Sequence, residues 1–321
     1  MTSFEEISTW YDQASSQLGF PKVPDELYEP VWHIMNMKGK RIRPVLLLMG
    51  CDAFNGNLEM ALSPAYGIEV FHNFTLVHDD IMDQAEKRRG LPTVHQKYGI
   101  NRAILSGDVM MMYAYRFIAD VPENKLRSVL TLFNKTATEV MEGQQMDMNF
   151  EHRKDVSVDE YLKMIEFKTS VLLAASLQIG ALLADASSKD QELMYEFGLK
   201  LGLAFQIKDD YLDAYGDERV GKVKGGDILQ NKKTYLAITA RTHASVEQTA
   251  MLDELLIETD PDKKVSQTLE IFNTLNVPNK THEFMEKLKN EAIQALYQCN
   301  MQPEKRNNLI QLAELIYNRD Y

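Results

Sequence analysis

The sequence predicts an all-α protein that folds as one domain over residues 1–321. Apolar residues recur at three- and four-residue intervals, and no segment alternates polar and apolar residues over the length of a strand. Proline, which interrupts helices, is absent between Glu123 and Asp260. Because no stretch rich in proline, serine or glycine separates two parts of the chain, we expect a single helical domain.

The helical period is clearest in the middle of the chain. One set of residues at this spacing is Tyr161, Met164, Ile165, Lys168 and Leu172, and another is Leu193, Phe197, Leu201, Leu203 and Ile207. Breaks between helices are expected at Pro44, 90–92, 99–101, Pro122, 155–158, 187–190 and 216–226. Asp155, Ser157 and Ser188 offer side-chain oxygens for the N-caps of the helices that follow.

The composition excludes some functional classes. The chain has 35 basic and 47 acidic side chains and a formal charge of −12, so no nucleic-acid partner, which needs a basic surface, is expected. Cys51 and Cys299 are too few for a disulfide framework and favour a reducing, cytoplasmic location. The polar N-terminus is unlike a signal peptide. The apolar stretch 171–184 is too short to span a bilayer, so it predicts a buried helix and no transmembrane segment.

Two aspartate-rich motifs are the strongest chemical signal. DDIMD at 79–83 and DDYLD at 209–213 both follow apolar stretches, and each has aspartates at i, i+1 and i+4. On a helix the first and last lie about 40° apart, on one face. One such motif is compatible with an ordinary solvated surface. Two motifs that end buried helices and face one cavity instead predict bound divalent cations, because clustered carboxylates repel one another.

The ligand chemistry of these motifs favours magnesium. Carboxylates with little neighbouring histidine or cysteine are typical of Mg²⁺ sites and not of zinc sites. The candidate metal ligands are Asp79, Asp80, Asp83, Asp209, Asp210 and Asp213. His78 adjoins the first motif but projects about 100° away from Asp79, so we interpret it as a packing or supporting residue.

Other residues share a helix face with the two motifs. The first face carries His72, Thr75, Asp79 and Asp83, and the second carries Gly198, Gly202, Phe205, Asp209 and Asp213. Glycines on the second face are compatible both with a ligand close to the backbone and with close packing of two helices. The spacing alone leaves these two alternatives open.

Basic residues are concentrated at a few points despite the acidic total. They are Lys40, Arg41 and Arg43, then Arg88 and Arg89, then Lys168, and finally Lys222, Lys224, Lys232 and Lys233. Basic clusters on helices usually lie on solvated faces. Because two of these clusters adjoin the aspartate motifs, they suggest diphosphates held both through metal and directly by cations.

From Gly39 to about Thr234 the sequence resembles the trans-isoprenyl (polyprenyl) diphosphate synthase family, short-chain type. Both aspartate motifs occur in the family's order, together with GKRIRP, RRG, KT, FQ and GGD. The resemblance implies an antiparallel helical bundle of the isoprenoid synthase type with a central active-site cavity. It also implies a prenyltransferase, expected as a homodimer, that joins isopentenyl diphosphate head to tail to an allylic diphosphate (dimethylallyl, geranyl or farnesyl).

The same resemblance implies roles for individual residues. Three Mg²⁺ would bridge the allylic diphosphate to Asp79, Asp83 and Asp209, with Asp80, Asp210 and Asp213 near or in the coordination shell. The cations expected to hold this diphosphate are Arg88, Lys168, Lys222 and Lys232. The residues expected at isopentenyl diphosphate are Lys40, Arg43, His72, Arg89 and Phe205. The backbone carbonyl of Lys168, with Thr169 and Gln206, would face the allylic cation. Gln144, Asp147 and Asp227 match supporting positions.

Product length depends on the residues four and five places before the first aspartate. In the family these residues form the wall of the pocket for the prenyl tail, and here they are Thr75 and Phe74. A bulky Phe74 would stop growth early, whereas Thr75 leaves more room than a second aromatic residue. The resemblance therefore favours a C20 product, geranylgeranyl diphosphate, over C15 farnesyl diphosphate.

Rival interpretations explain less of the sequence. A class I terpene cyclase is also helical and Mg²⁺-dependent, but its second motif normally carries Asn, Ser and Glu. A non-catalytic regulatory subunit tends to lose one aspartate motif, and this chain keeps both. A phosphohydrolase built on His78 and Asp79 lacks further histidines at ligand spacing. A purely structural helical scaffold leaves the acidic and basic clusters unexplained.

Overall fold

The computed structural model describes residues 3–216 and 225–318. The first elements are α1 (Phe4–Ser15), α2 (Asp25–Met35), α3 (Ile42–Ala53), α4 (Leu58–Met82), β1 (Lys87–Arg88), β2 (Leu91–Pro92), α5 (Val94–Tyr98), α6 (Ile100–Ile118) and α7 (Glu123–Glu151). They are followed by α8 (Val158–Ile165), a π-helix (Glu166–Ser170), α9 (Val171–Leu183), α10 (Ser188–Tyr215), α11 (Gly226–Leu229), α12 (Tyr235–His243), α13 (Val246–Leu256), α14 (Pro261–Thr274), α15 (Val277–Gln298) and α16 (Pro303–Asn318). Lys222 and Lys224 lie outside the described residues.

The predicted helix breaks at 90–92, 99–101, Pro122, 155–158 and 187–190 are confirmed, the one at Pro44 is wrong, and the one at 216–226 lies largely outside the described residues. Helix α3 begins at Ile42, so Pro44 lies in its first turn. Proline is tolerated there because the first N–H groups of a helix have no intrahelical acceptor. The break therefore precedes Pro44, and Arg41 at the N-cap adopts the left-handed region, with φ of 47°.

The predicted N-caps are confirmed at one position of three. The Ser157 hydroxyl accepts a hydrogen bond from the backbone N–H of Glu160, whose carboxylate accepts one from the Ser157 backbone in return. Asp155 does not cap α8, since Ser157 occupies the N-cap position. The Asp155 carboxylate instead accepts a hydrogen bond from the Arg153 side chain. Ser187, one residue before the predicted Ser188, accepts a bond from the backbone N–H of Asp190.

The chain divides into two compact units. The first comprises Met1–Asn134, Ala175–Glu192 and Asn300–Asn308, and the second comprises Lys135–Ala174, Leu193–Cys299 and Leu309–Tyr321. The assignment of one domain to residues 1–321 stays a prediction.

The core of the first unit is built where α4 packs against α3 and α6. On α3 four consecutive apolar residues, 45–48, have no exposed surface, and on α4 Ile68 and Phe71 are equally buried. Continuous burial of residues 44–51 explains why this part of α3 is apolar on all sides. These helices fix the orientation of α4, whose C-terminal end carries the first aspartate motif.

The second unit has two apolar clusters that share α12. One joins α12 to α8, α10 and α15 through residues such as Tyr161, Ile207 and Leu288. The other joins α12 to α13 and α14, with Leu252 and Phe272 among its buried side chains. The first cluster lies beneath the end of α10 that carries the second aspartate motif.

The apolar segment around α9 is longer than predicted. The run Val158–Leu183 is long and apolar enough to cross a membrane by length and composition alone, and 72% of its most apolar window is buried inside the protein. The π-helix joins α8 to α9 without an interruption, which extends the predicted stretch 171–184 at its N-terminal side. The burial supports the interpretation of this segment as a core helix.

Candidate active site

The first aspartate motif occupies the C-terminal end of α4. Asp79 is half-buried and Asp83, the C-cap residue, is exposed. The C-terminal end of a helix carries a partial negative charge that adds to that of the carboxylates. This end of α4 therefore favours cations strongly.

Asp80 is the buried carboxylate of this motif. It is 1% exposed, and Arg88 holds it with a two-pronged ion pair in which Nε and Nη2 donate over 2.8–3.0 Å. Arg88 comes from the β1–β2 hairpin, whose turn requires φ of 53° at Arg89 and 79° at Gly90. The pair fixes the hairpin, and so Arg89, against the end of α4.

A histidine–arginine pair lies two turns before the motif. Arg43 Nη1 lies 3.1 Å from His72 Nε2. Burial, reinforced by the guanidinium groups of Arg43 and Arg89, lowers the pKa of His72 well below its usual value. The imidazole is therefore neutral and accepts the hydrogen bond from Arg43.

The remaining cations of the first unit surround the start of α3. The Arg89 guanidinium lies against Gly39, where an added Cβ would come within 2.8 Å of it, and it donates to the carbonyl of Met37 over 3.4 Å. Lys40 is exposed beside it in sequence. The first unit thus brings together cationic groups suited to a diphosphate.

Arg41, between these residues, serves the fold. Its guanidinium is bonded to Glu69 on α4 at 2.5 Å and to the carbonyls of Met35 and Met37 at 2.6 and 3.2 Å. The sequence placed Arg41 only in a basic cluster. Its partner Glu69 could not be found by spacing, because it lies 28 residues away.

Phe74 lies within an aromatic group on α4. It is 7% exposed, and its ring centroid lies 5.7 Å from that of Phe71 and 4.8 Å from that of His78. His78 in turn packs on α6, where its Nε2 lies 3.3 Å from the carbonyl of Ile104. The Thr75 hydroxyl donates a hydrogen bond to the carbonyl of His72 over 2.8 Å.

The second motif lies at the C-terminal end of α10, and its middle carboxylate is buried. Asp210 accepts hydrogen bonds from the Tyr161 hydroxyl at 2.5 Å, the Tyr235 backbone N–H at 3.0 Å and the Gln206 amide at 3.3 Å. Burial raises the pKa of the Asp210 carboxyl to about 7, whereas these hydrogen bonds lower it. Asp210, like Asp80, is thus bound by protein donors. Tyr161 was recognised in the sequence only as a core residue.

Asp213 holds the start of α11. One of its carboxylate oxygens accepts a hydrogen bond from the Asp227 backbone N–H at 2.8 Å, and its backbone carbonyl accepts one from Gly225 at 2.8 Å. The Asp227 carboxylate pairs with Lys232 at 3.1 Å. Asp213 and Asp227 therefore hold the turn that places Lys232. Asp209 on the same helix is half-buried.

Lys168 and Thr169 lie in the π-helix, a feature that the sequence did not reveal. Lys168 pairs with Asp147 at 2.5 Å, and Thr169 donates its hydroxyl to Gln206 at 3.2 Å. Short π-helical segments occur frequently at functional sites. The Gln206 amide then bonds Asp210, so one chain of hydrogen bonds links the π-helix to the second motif.

Two glycines allow helices to approach this segment closely. A Cβ on Gly143 would lie 2.3 Å from the backbone nitrogen of Lys168, and one on Gly202 would lie 2.6 Å from the Cα of Ser170. Close packing of the backbone therefore accounts for Gly202. The sequence had left open whether this glycine allows close packing of helices or the approach of a ligand. Phe205, one turn further along α10, is half-buried.

The chemistry of the donors suits a hard divalent cation. Among the described residues, no three His, Cys, Asp or Glu side chains form a ready-made metal cage. The motifs supply carboxylate oxygens, and His78, which adjoins the first motif, packs against α6. Mg²⁺ binds few carboxylates and keeps sites for water and substrate phosphates, so these residues fit it.

Comparison with known proteins identifies the family. The sequence model of the Polyprenyl synthetase family matches residues 24–274. The chain belongs to this family. A geranylgeranyl diphosphate synthase of Methanosarcina mazei is 38% identical over 332 aligned residues, which cover 100% of this chain and 99% of that protein. A geranylfarnesyl diphosphate synthase of Natronomonas pharaonis is 40% identical over 250 residues, covering 72% and 73% of the two chains.

A solved structure extends the likeness to the whole fold. The crystal structure of a geranylgeranyl pyrophosphate synthase superimposes with a TM-score of 0.94 at 39% identity, covering 100% of both chains. As a polyprenyl synthetase, the chain is a prenyltransferase with the all-α isoprenoid synthase fold, as its sequence predicts. Polyprenyl synthetases of this kind are Mg²⁺-dependent and use isoprenyl diphosphates. The roles of single residues stay predictions.

Proposed function

We propose that the chain condenses isopentenyl diphosphate with allylic diphosphates to make geranylgeranyl diphosphate, a C20 product. The observation that carries this proposal is the pair of complete aspartate motifs, each at the C-terminal end of a long helix and each supported by a buried middle aspartate. Two of the relatives reported above are named geranylgeranyl synthases, which supports the C20 length, and a third is named a geranylfarnesyl diphosphate synthase.

The carboxylates in the motifs divide into two groups with different tasks. We assign Mg²⁺ binding chiefly to Asp79, Asp83 and Asp209, with Asp213 near them. Asp80 and Asp210 hold the motifs in place through Arg88 and Tyr161. When bound, Mg²⁺ supplies positive charge that stabilises the departing diphosphate. The expected number of three ions remains part of the proposal.

The residues of the chain position the two substrates. Lys40, Arg43, His72 and Arg89 bind isopentenyl diphosphate, with Phe205 beside it. Arg88, Lys168, Lys222 and Lys232 bind the allylic diphosphate and stabilise its charge as the C–O bond breaks. The Lys168 carbonyl, Thr169 and Gln206 face the allylic cation. The isopentenyl double bond then attacks this cation, and the departing diphosphate takes the proton.

Product analysis tests this proposal directly. The purified protein is given isopentenyl diphosphate and Mg²⁺ with C5, C10 or C15 allylic diphosphate, and the products are identified by mass spectrometry. Elongation that stops at C20 is expected from each primer. A C15 or C25 end product would correct the chain length but keep the reaction. Release of diphosphate without elongation would instead indicate a cyclase.

The Phe74→Ala variant is expected to make products longer than C20. Phe74 is the bulky residue assigned to the floor of the tail pocket, and alanine removes that obstruction. Phe117→Ala is a control, because Phe117 packs in a separate aromatic group with Phe20 and Tyr66. The measurement is the chain-length distribution of both variants beside the unaltered protein. An unchanged distribution in Phe74→Ala would discard the floor assignment.

We also propose a homodimer in which α6 contributes to the interface. Ile104, Leu105 and Met112 on this helix are 43–62% exposed. Adjacent exposed apolar residues are typical of protein interfaces. Light scattering coupled to size-exclusion chromatography is expected to give twice the chain mass of 36.8 kDa. A monomeric mass would reject the proposal.

A further inference from the structure

A small cavity in the second unit combines many cations with an apolar floor. It has a volume of about 70 Å³ and lies between the α7–α8 connection and helices α12, α13 and α14. Its cations are Lys154, Lys232, Lys233, Arg241 and Lys264. Leu252, Leu255 and Phe272 are among the apolar residues beneath them. Of these residues, only Lys232 also belongs to the candidate active site.

The positive charge of the cavity is only partly balanced. Arg241 pairs with Asp253 at 2.8 Å and Lys232 with Asp227 at 3.1 Å. Within the part of the chain that the structure describes, the ammonium groups of Lys154, Lys233 and Lys264 have no carboxylate within 4.0 Å, and no acidic residue lines the cavity. This excess is local, because the whole chain carries a formal charge of −12.

Lys264 is the most deeply placed of these cations. It is 6% exposed, and its ammonium group donates to the carbonyls of Leu229 and Leu256 over 3.4 and 3.3 Å, both long hydrogen bonds. Burying an ammonium group without an opposite charge is costly. A bound anion would lower that cost.

Lys233 is affected by the other cations of the same cavity. Burial, followed by repulsion from Arg241 and Lys154, lowers its pKa below the usual value for lysine. Its ammonium group donates to the carbonyl of Asn231 at 3.3 Å. The neighbouring cations thus act on one another, and a single anion among them would interact favourably with all of them.

The volume restricts what can bind. A water molecule needs about 10–15 Å³ of cavity volume. A cavity of about 70 Å³ therefore holds about five to seven atoms or groups of the size of a water molecule. A phosphate group has five heavy atoms. Cavities for larger ligands measure about 300–1,000 Å³. A prenyl chain therefore does not fit. The apolar floor excludes water, which strengthens the electrostatic attraction between the lysines and an anion.

We propose that this cavity is a second anion site, which shares only Lys232 with the candidate active site and binds one phosphate group. The group is either free inorganic phosphate or one end of inorganic diphosphate. Its charge would pair with Lys154, Lys233 and Lys264. Binding would also stabilise the segment 229–234, which carries Lys232 and leads into α12.

Phosphate titration of the full chain by calorimetry, in EDTA and without Mg²⁺, tests the proposal. We expect a phosphate site whose affinity falls at least tenfold in Lys233→Gln and in Lys154→Gln. Lys287→Gln, at a lysine 67% exposed in the same unit, is the matched control and should bind as the unaltered protein does. Lys168→Gln, in the candidate active site, should also keep its affinity for phosphate. Circular dichroism checks the fold of each variant. If Lys233→Gln does not fold, Lys154→Gln alone carries the test, because Lys154 is exposed.

Several results would overturn this proposal. Loss of binding in Lys168→Gln but not in Lys233→Gln would place the phosphate in the candidate active site. Equal affinity in all variants would indicate unspecific binding, and no binding to the unaltered protein would reject the site. Repeating the titration with inorganic diphosphate separates the two sources: a tenfold gain in affinity that is lost in Lys233→Gln but kept in Lys168→Gln would identify diphosphate. Binding of geranylgeranyl diphosphate that is lost in Lys233→Gln but kept in Lys168→Gln would contradict the size argument.

Discussion

The Asp79→Ala variant is expected to lower kcat/KM by about a thousandfold or more while leaving the fold intact. Asp79 is half-buried at the C-terminal end of α4, where its charge adds to the negative end of the helix. That arrangement favours a bound cation. Because metal charge stabilises the leaving diphosphate, its loss removes an interaction that is worth most in the transition state.

The test compares steady-state kinetics of this variant over a range of Mg²⁺ concentrations with its thermal unfolding. The Tm without metal should stay close to that of the unaltered protein, because Asp79 is half-buried at the end of α4 and does not belong to the apolar core. Asp120→Ala, at an exposed aspartate just beyond the end of α6, is the control and should retain normal rates. A near-normal rate in Asp79→Ala at low Mg²⁺ would contradict the metal assignment.

The parts of the fold that the sequence predicted are those with a local signal. Helical periodicity and Ser157 with Glu160 three residues later are local patterns, so α8 and its capping box could be predicted. Pro44 misled the prediction, because a proline is equally compatible with a break and with a first helical turn. The π-helix at Glu166–Ser170 depends on packing against Gly143 and Gly202, which lie far away in sequence.

The candidate site shows the same division between local and distant information. The aspartate motifs are visible in the sequence, but the separate tasks of Asp79 and Asp80 are not. Arg88 pairs with Asp80 only because the β1–β2 hairpin turns back on α4. Tyr161 reaches Asp210 from 49 residues away, and no spacing rule connects them.

Removing one partner of the buried Arg41–Glu69 pair is expected to destabilise the protein by about 3–5 kcal/mol. The side chains of Arg41 and Glu69 are 17% and 3% exposed, and the same Glu69 oxygen also accepts a hydrogen bond from Asn73 at 2.9 Å. In Arg41→Met the carboxylate would stay buried, and that amide would be its remaining hydrogen-bond partner among residues 3–216 and 225–318. Urea unfolding of Arg41→Met, Glu69→Leu and the double variant measures the coupling. A double variant less destabilised than either single variant is expected, whereas simple additivity would contradict the pairing.

The double variant also separates stability from the positioning of substrate. Arg41 holds the left-handed turn before α3 through the carbonyls of Met35 and Met37, and that turn lies between Lys40 and Arg43. Replacing both charges by apolar groups restores the core but leaves those carbonyls without the guanidinium. We therefore expect the KM for isopentenyl diphosphate to stay raised in the double variant, by about tenfold, since the loss of hydrogen bonds to a charged group costs about 1.5–3 kcal/mol. The kcat should change less, because the hydrogen bonds of Arg41 go to Glu69, Met35 and Met37, which lie outside the first aspartate motif. If KM returned to normal as stability recovered, the guanidinium would serve the fold alone, and Lys40 and Arg43 would be positioned by α3 itself.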